Sequence, residues 1–380
     1  MILCINACRA RSGGGIAHLV GILGEVNPSE FGIHVVHVWG YAALLAALPE
    51  AKWIVKHEPP ELECSLLHQL WWERFTLPLE LAETKCSILL NVDAGSVCRF
   101  RPAVTMSRDM LSYEPGEIER YGFSKERLRL IALRYVQNTS LKAADGAVFL
   151  TRYAARVIQQ SCGPLSNISF IPHGVGQAFQ SIEPSGSWPE TGERPIRCLY
   201  ISNTAPYKHQ WHVVRAIAQL RQQGFDLQLE LVGGGEGKAQ KRLVSEINVL
   251  DPDGTFVTQR KFLPQRTLPN FLAQADLFVF ASSCENMPNT LVEAMAAGLP
   301  ISCSSRGPMP EVLEDGGVYF DPEDPDSIAA AIKDLVTNSG KRIRLASRAK
   351  ELSRQYSWGR CARETFSFIT QVAKQVKKTK

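Results

Sequence analysis

The sequence lacks any stretch approaching the roughly 20 consecutive apolar residues that a helix needs to cross a bilayer, so no membrane-spanning helix is expected. Its start, Met1–Gly15, has a short apolar run with no basic residue ahead of it and no small-residue cleavage pattern behind it. That reads as a first β-strand and not as a secretory leader. No CxxC pair and no Cys/His metal spacing occurs. Cys4 and Cys8 have no second pair with which to complete a zinc site, and Cys4, Cys198 and Cys303 fall inside apolar runs. The ten cysteines are therefore expected to be scattered buried thiols of a reducing cytosol. Runs of Arg and Lys interleaved with aromatics are missing too. The net charge is only +4, a balance that suits anionic small molecules but is too weak to argue for nucleic acid.

What is present is the composition of a soluble globular chain, 45% apolar and 21% charged. At 380 residues it exceeds what one hydrophobic core usually serves, so two domains are expected. Strand-like runs alternate with helical patterns throughout, the signature of parallel sheets with crossover helices. Ile2–Asn6, His34–Trp39, Trp53–His57, Ser87–Val92, Ala103–Met106, Ala147–Leu150 and Ile168–Pro172 read as strands. Ile16–Leu23 and Tyr153–Gln160 read as helices, the second capped by Thr151. Ser181–Pro195 is rich in Pro, Ser, Gly and Glu, has no periodicity and reads as a linker. The alternation then restarts with Ile196–Ser202, a helix Trp211–Gln223, Leu227–Gly233, a helix near Lys238–Leu250, Thr255–Gln259, Leu277–Ser282, Pro300–Cys303 and Val318–Phe320. Ser327–Val336 and Gly340–Val376 are helical in pattern. The expected organisation is an α/β chain of two Rossmann-like, doubly wound domains, 1–180 and 196–355, joined by the linker 181–195. Residues 356–380 form a terminal helix expected to pack back toward the first domain.

Ligands of such sheets bind beyond the carboxyl ends of the strands, and two such domains facing each other leave a cleft. Loops that directly follow strands are therefore where chemistry is sought. The densest signal is the run Ala281–Pro300, in which a strand ends near Ser282, a loop carries Glu285, and a helix begins near Asn289 or Thr290. Glu293 is then expected in the first helical turn, at the positive end of the dipole and beside amides free to meet an anion. Two carboxylates on one rim suit recognition of sugar and ribose hydroxyls.

From Leu199 to about Leu335 the chain resembles the C-terminal domain of the retaining GT-B-fold glycosyltransferases, group 1 or family 4. The resemblance rests on Glu285 and Glu293 spaced as Glu-x7-Glu, followed by Ala294-Met-Ala-Ala-Gly-Leu-Pro300. It also rests on Val232-Gly-Gly-Gly235, Gln274–Phe280, Pro310-Glu311-Val312 and Asp315–Pro322. The resemblance implies that Glu293 holds the ribose hydroxyls of a nucleotide and Glu285 the transferred sugar. Lys208, between the first strand of the second domain and a helix, would grip the diphosphate. The family's arginine five positions earlier is here Asn203, so Lys238 and Lys261 are candidates to help. Gly233 and Gly234 would bring backbone amides close to the ligand, although Gly233–Gly237 lacks the pattern of a dinucleotide-binding loop. Asn286 and Met287, and Phe262 and Leu263 in the loop that would read the base, complete the donor-binding set.

In the first domain the resemblance places Gly14 and Gly15, in the Ser12–Gly15 loop flanked by Arg9 and Arg11, toward donor phosphates. Arg108 and Asp109 follow a strand where the family often has a His-Asp pair near the anomeric carbon, and Asp93 competes for that role. His173-Gly174 reads as a structural turn. The implied activity is transfer of a sugar from a nucleotide-diphosphate donor to a glycan or lipid-linked acceptor with retention of configuration. The nucleotide sugar is the substrate and no cofactor or metal is expected, because no Asp-x-Asp-like pair follows a strand. The alternative is a non-catalytic nucleotide-sugar-binding or assembly protein of the same fold. Finally, Glu119–Tyr135 at helical spacing sets Phe123, Leu128, Leu130, Ile131, Leu133 and Tyr135 beside Arg120, Lys125, Arg127, Arg129 and Arg134. It reads either as a helix packed on its sheet or as a peripheral contact with anionic membrane at the inner face, where the basic tail Lys374–Lys380 could assist.

Overall fold

The computed structural model describes every residue except 12, 183–187, 191 and 380. Its chain divides into two compact units, Met1–Gly174 with Tyr356–Lys380, and Val175–Gln355. Of the linker expected over 181–195, residues 183–187 and 191 lie outside the described residues, as does Ser12 in the glycine loop.

The first unit is built on seven parallel strands: β1 (Ile2–Asn6), β2 (Val35–Trp39), β3 (Ile54–His57), β4 (Ile88–Asn91), β5 (Ala103–Ser107), β6 (Gly146–Phe149) and β7 (Ile168–Phe170). They lie in the order β3-β2-β1-β4-β5-β6-β7. β4 and β5 are buried at every residue, as expected of central strands whose two faces are both covered by helices. Between β1 and β2 runs the helix Gly14–Gly24, and Arg152–Cys162 follows β6. Thr151 caps the latter by accepting a hydrogen bond from the Ala154 amide at 3.1 Å.

The second unit repeats the plan with six parallel strands: β8 (Ile196–Ile201), β9 (Leu227–Val232), β10 (Val257–Arg260), β11 (Leu277–Phe280), β12 (Ile301–Ser304) and β13 (Val318–Phe320). Their order is β10-β9-β8-β11-β12-β13. Each sheet thus reverses its winding beside its first strand, between β1 and β4 and between β8 and β11. Both units are Rossmann-like.

Two helical expectations change. The pattern over Gly340–Val376 is two helices, Ser339–Ser353 and Trp358–Thr379, because the Ser357 hydroxyl accepts from the Arg360 amide at 3.2 Å and starts the second helix afresh. That terminal helix belongs to the first unit. Its Trp358 packs so closely on Gly21 that a Cβ there would lie 2.4 Å from the indole, and Phe368 and Val372 press similarly on Gly146. The stretch 119–135 is not one helix either. A short 3-10 turn, Glu119–Tyr121, ends at Gly122 with φ 54°, and Ser124 caps a new helix, Lys125–Ala143. Its stripe splits. Leu130 is buried and Leu133 half-buried, whereas Leu128, Ile131 and Tyr135, with Phe123 before the helix, are exposed. The expected apolar stripe packed on the sheet is therefore only partly so.

Candidate active site

In the second unit the loops after β8 and β11 leave neighbouring strands at the reversal of strand order, the crevice where open α/β sheets bind ligands. Lys208 ends a 3-10 turn, Pro206–Lys208, and is followed by His209 in a left-handed conformation, φ 48°. The Lys208 ammonium is buried and pairs with the Glu285 carboxylate, lying also over the rings of Tyr207 at 5.1 Å and Phe280 at 5.8 Å. The two loops are tied together around this pair. The Ser283 amide donates to the Tyr207 carbonyl at 2.8 Å, His209 Nε2 and Ser283 Oγ share a hydrogen bond of 2.9 Å, and the Tyr200 hydroxyl donates to the Lys208 carbonyl at 2.8 Å. A cation is thereby held at fixed position at the end of the sheet, where it can meet a phosphate.

Glu293 differs from expectation. The helix Asn289–Ala297 begins early enough that Glu293 is its fifth residue, past the first turn, so it does not sit at the dipole end. The amides of Asn289, Leu291 and Val292 already donate to the carbonyls of Met287 and Pro288 at 3.0, 3.0 and 3.1 Å, so three groups expected to be free for an anion are engaged. The Glu293 side chain is buried and accepts from Gln265 Nε2 at 3.0 Å, while its other oxygen is enclosed without a partner. Burial pushes its pKa up to about 7, against the hydrogen bond from Gln265. The helix ends at Gly298 in the left-handed region, and every residue from Leu291 to Ala297 is buried. This explains the small side chains of the Ala-Met-Ala-Ala-Gly run.

The glycine run after β9 serves the protein's own backbone first. A Cβ on Gly233, whose φ is 110°, would fall 2.5 Å from the Ser202 carbonyl oxygen, and one on Gly235 would fall 2.6 Å from that of Thr204. A Cβ on Gly234 would stand 3.6 Å from the Lys261 Cα, an ordinary contact. Asn203 is exposed between these loops. Lys238, Lys261 and Phe262 are exposed, Leu263 is half-buried, and Asn286 and Met287 are buried in the loop after β11. The structure therefore joins Lys208 to Glu285 and Glu293 to Gln265, and records no bond from Lys238 or Lys261 to either pair.

In the first unit Gly14 and Gly15 open the helix Gly14–Gly24 after β1. Arg108 and Asp109, which follow β5, point to different partners. Asp109 accepts from the Leu111 amide at 3.0 Å and from Gln137 Nε2 at 3.4 Å. The Arg108 guanidinium instead lies against Gly15, where a Cβ would be 2.9 Å from both of its terminal nitrogens. The charge that acts on Arg108 is Asp93, whose own carboxyl is raised by burial and lowered in turn by the 2.6 Å hydrogen bond from the Gly95 amide. His173 is more than a turn residue: its ring stacks on His18 at 4.8 Å and tilts against Trp358 at 5.8 Å.

Three groups had no signal at the level of motifs. Gln265 is one of several polar residues after a proline. His18 is a lone histidine in a helical pattern, yet it is wholly buried. Glu114, raised to about 7 by burial and accepting from the Tyr153 hydroxyl, is ordinary in sequence.

Residues 189–352 match the family described as glycosyl transferases group 1. Over 234 residues the chain is 29% identical to a GDP-mannose-dependent alpha-(1-6)-phosphatidylinositol monomannoside mannosyltransferase of Mycolicibacterium smegmatis, an alignment covering 57% of this chain and 58% of that protein. The chain thus spans less than two thirds of that relative. Among solved structures it is similar to the sucrose-phosphate synthase of Thermosynechococcus elongatus, with a TM-score of 0.76 at 16% identity over 100% of both chains. It is also similar to HepE of Anabaena, solved with UDP-glucose, with a TM-score of 0.70 at 18% identity over 100% of both chains. These two likenesses are of fold, the two-Rossmann-domain GT-B class. The stretch of this chain that matches the glycosyl transferases group 1 domain accordingly lies inside the second Rossmann-like unit and contains the paired Lys208 and Glu285 and the buried Glu293.

Proposed function

We propose that the chain is a retaining glycosyltransferase that moves a sugar from a nucleotide-diphosphate donor to a glycan or lipid-linked acceptor. The observation that carries this reading is the pair of the buried Lys208 and the half-buried Glu285 at the reversal point of the second sheet, inside the group 1 domain. Lys208 supplies positive charge for the departing diphosphate, and being fixed in advance it needs no rearrangement as that charge develops. Glu285 orients the transferred sugar, and Glu293, with one carboxylate oxygen unpartnered, accepts from the ribose hydroxyls. Asn286, Met287, Gly233, Gly234, Lys238, Phe262 and Leu263 complete the donor side of the second unit. The acceptor's proton passes to the departing phosphate on the face from which it leaves, so the configuration at the anomeric carbon is kept. Arg108 and Asp109 act near that carbon. The nucleotide sugar is substrate, and no cofactor or metal takes part. A nucleotide donor is supported by GDP-mannose in the relative's name and by UDP-glucose in the neighbour's structure.

No helix among the described residues is long and apolar enough to cross a membrane. The exposed Phe123, Leu128, Ile131 and Tyr135, with Arg127, Arg129 and Arg134 around them, support a peripheral contact with anionic lipid, at the cytoplasmic face. The deciding experiment incubates the purified chain with UDP-, GDP- and ADP-sugars and an acceptor extract and reads the new linkage by NMR. An inverted anomeric centre would sink the retaining reading. Nucleotide binding with no transfer or hydrolysis of any donor would favour a non-catalytic binding protein, for which Asn203 in place of an arginine is the specific feature.

A further inference from the structure

Between β3 and β4 runs one helical rod in three pieces, an α-helix Leu66–Trp71, a π turn Trp72–Thr76 and an α-helix Leu77–Glu83. Its faces are the reverse of those of a solvated surface helix, which turns its polar side chains outward. Here the polar ones turn in. Gln69 accepts from Arg11 at 2.7 Å, and Glu73 accepts from Asn6 and Arg9, each at 2.8 Å. Glu80 accepts from the indoles of Trp39 and Trp72 at 2.7 and 2.9 Å. Outward stand Leu66, Leu67, Trp71, Phe75 and Leu79, which are 57, 78, 62, 55 and 65% exposed. The inward bonds fix the rod about its axis, so it cannot roll these side chains into the core. An apolar face held outward in this way marks a contact surface.

We infer that this face joins two copies of the chain, packed antiparallel about a two-fold axis at the level of Glu73. Leu67, Trp71, Phe75 and Leu79 fall four apart, and the wider π turn counters the drift of such a row around an α-helix. The Trp71 and Phe75 rings lie 5.8 Å apart. The row reads leucine, aromatic, aromatic, leucine in either direction. That is the self-complementarity a two-fold contact requires, since one patch serves both copies. Turned antiparallel, Leu67 comes level with Leu79 of the second copy, and Trp71 with its Phe75. The exposed charges from Pro60 to Lys85 balance, Glu63 and Glu83 against Arg74 and Lys85. The face thus lacks the surplus of cations with which a helix meets an anionic bilayer. Arg74 lies over the Phe75 ring at 5.4 Å, and Trp and Arg are the residue types that most often anchor protein interfaces. The five side chains expose on the order of 500 Å² of apolar surface, a large share of the roughly 800 Å² that each partner gives to a standard interface. The inference does not depend on the transferase reading.

Sedimentation velocity of the full chain over a concentration series tests it. Wild type is expected to pass from monomer to dimer as concentration rises. Trp71→Ser is expected to raise the dimer Kd about 100-fold or more, because the anchor is lost from both copies. Phe75→Ser serves should that variant fail to fold. Leu67→Lys alone should loosen the dimer about 10-fold, and adding Leu79→Glu should recover much of the loss. The recovery is specific to the antiparallel row, which brings the new lysine to the new glutamate; a parallel row would set like charges together. A wild type that stays monomeric at every concentration overturns the proposal. So does a dimer that both serine variants leave unchanged, or a double variant no tighter than Leu67→Lys alone. Monomeric wild type that sediments with neutral vesicles, and loses this in Trp71→Ser, would give the face to lipid and overturn it too.

Discussion

The Lys208 ammonium and the Glu285 carboxylate, 77 residues apart in the chain, form an ion pair that joins the loop after β8 to the loop after β11. Removing one partner leaves the other partly desolvated and alone. Glu285→Gln is therefore expected to lower kcat/KM by about 100-fold or more while leaving far-UV circular dichroism unchanged. In a double-mutant cycle with Lys208→Met the two losses should be strongly non-additive. Near wild-type transfer by Glu285→Gln would remove the pair from the reaction.

Glu293 makes stability depend on pH. Its folded pKa is about 7 against an ordinary 4.5, so the folded state holds this proton more tightly than the unfolded chain does. Its contribution is full below about pH 4.5 and is lost as pH rises through about 7. Glu293→Gln keeps an oxygen for Gln265 and has no charge to lose. The variant should gain on the wild type between pH 5 and pH 8 by on the order of 2–3 kcal/mol. Melting curves at the two pH values decide it: a constant gap between variant and wild type contradicts the buried, protonated carboxyl.

Asn203 is exposed beside the glycine loop, with its amide 3.3 Å from where a Gly233 Cβ would stand. Asn203→Arg should therefore fit without repacking and add a cation to the loop after β8. The donor KM is expected to fall by about 10-fold or more, since a charge-assisted hydrogen bond contributes roughly 1.5–3 kcal/mol. An unchanged KM would mean that this loop does not meet the phosphates.

Metal dependence is tested directly. Among the described residues no group of three or more His, Cys, Asp or Glu side chains converges. Transfer is expected to survive EDTA, and loss of activity restored by magnesium or manganese would refute the proposed metal-independent chemistry.

Legibility followed the range of the forces involved. The strands were readable because a buried parallel strand is a local apolar run, as in β4 and β11, both buried throughout. The Glu285 to Pro300 motif was readable because one loop and one helix contain it. Partnerships across the chain were not. Gln265 meets Glu293 from 28 residues away, and Arg108 turns from Asp109 next to it toward Gly15, 93 positions earlier in the numbering. Helical spacing also could not say which side of Lys125–Ala143 faces the sheet, because apolar residues lie on both sides and only tertiary packing chooses Leu130 over Leu128.

That exposed side yields the last prediction. Leu128, Ile131 and Tyr135 repeat at spacings of three and four on the solvent face of the helix, and Phe123 stands exposed just before its cap. Arg129 is exposed, with Arg127 and Arg134 half-buried along the flank, and Arg127 also lies over the Phe123 ring at 5.7 Å. Arg120 adds less, being paired with Glu117 at 2.9 Å. An apolar stripe edged by cations suits the interface of an anionic bilayer, where each nearby cation contributes about 1 kcal/mol and the stripe enters the headgroup boundary. The measurement is co-sedimentation with vesicles of neutral or anionic lipid at low and high salt. Wild type should sediment with anionic vesicles, and less so in high salt, as screening requires. Replacing Arg127, Arg129 and Arg134 by Gln should abolish the anionic preference, and Leu128→Ser with Ile131→Ser should weaken binding even at low salt. Since both serine substitutions are at exposed positions, their melting temperatures should stay within a few degrees of wild type. Wild type remaining in the supernatant with anionic vesicles at low salt would rule out this face as a lipid contact and would favour a soluble acceptor.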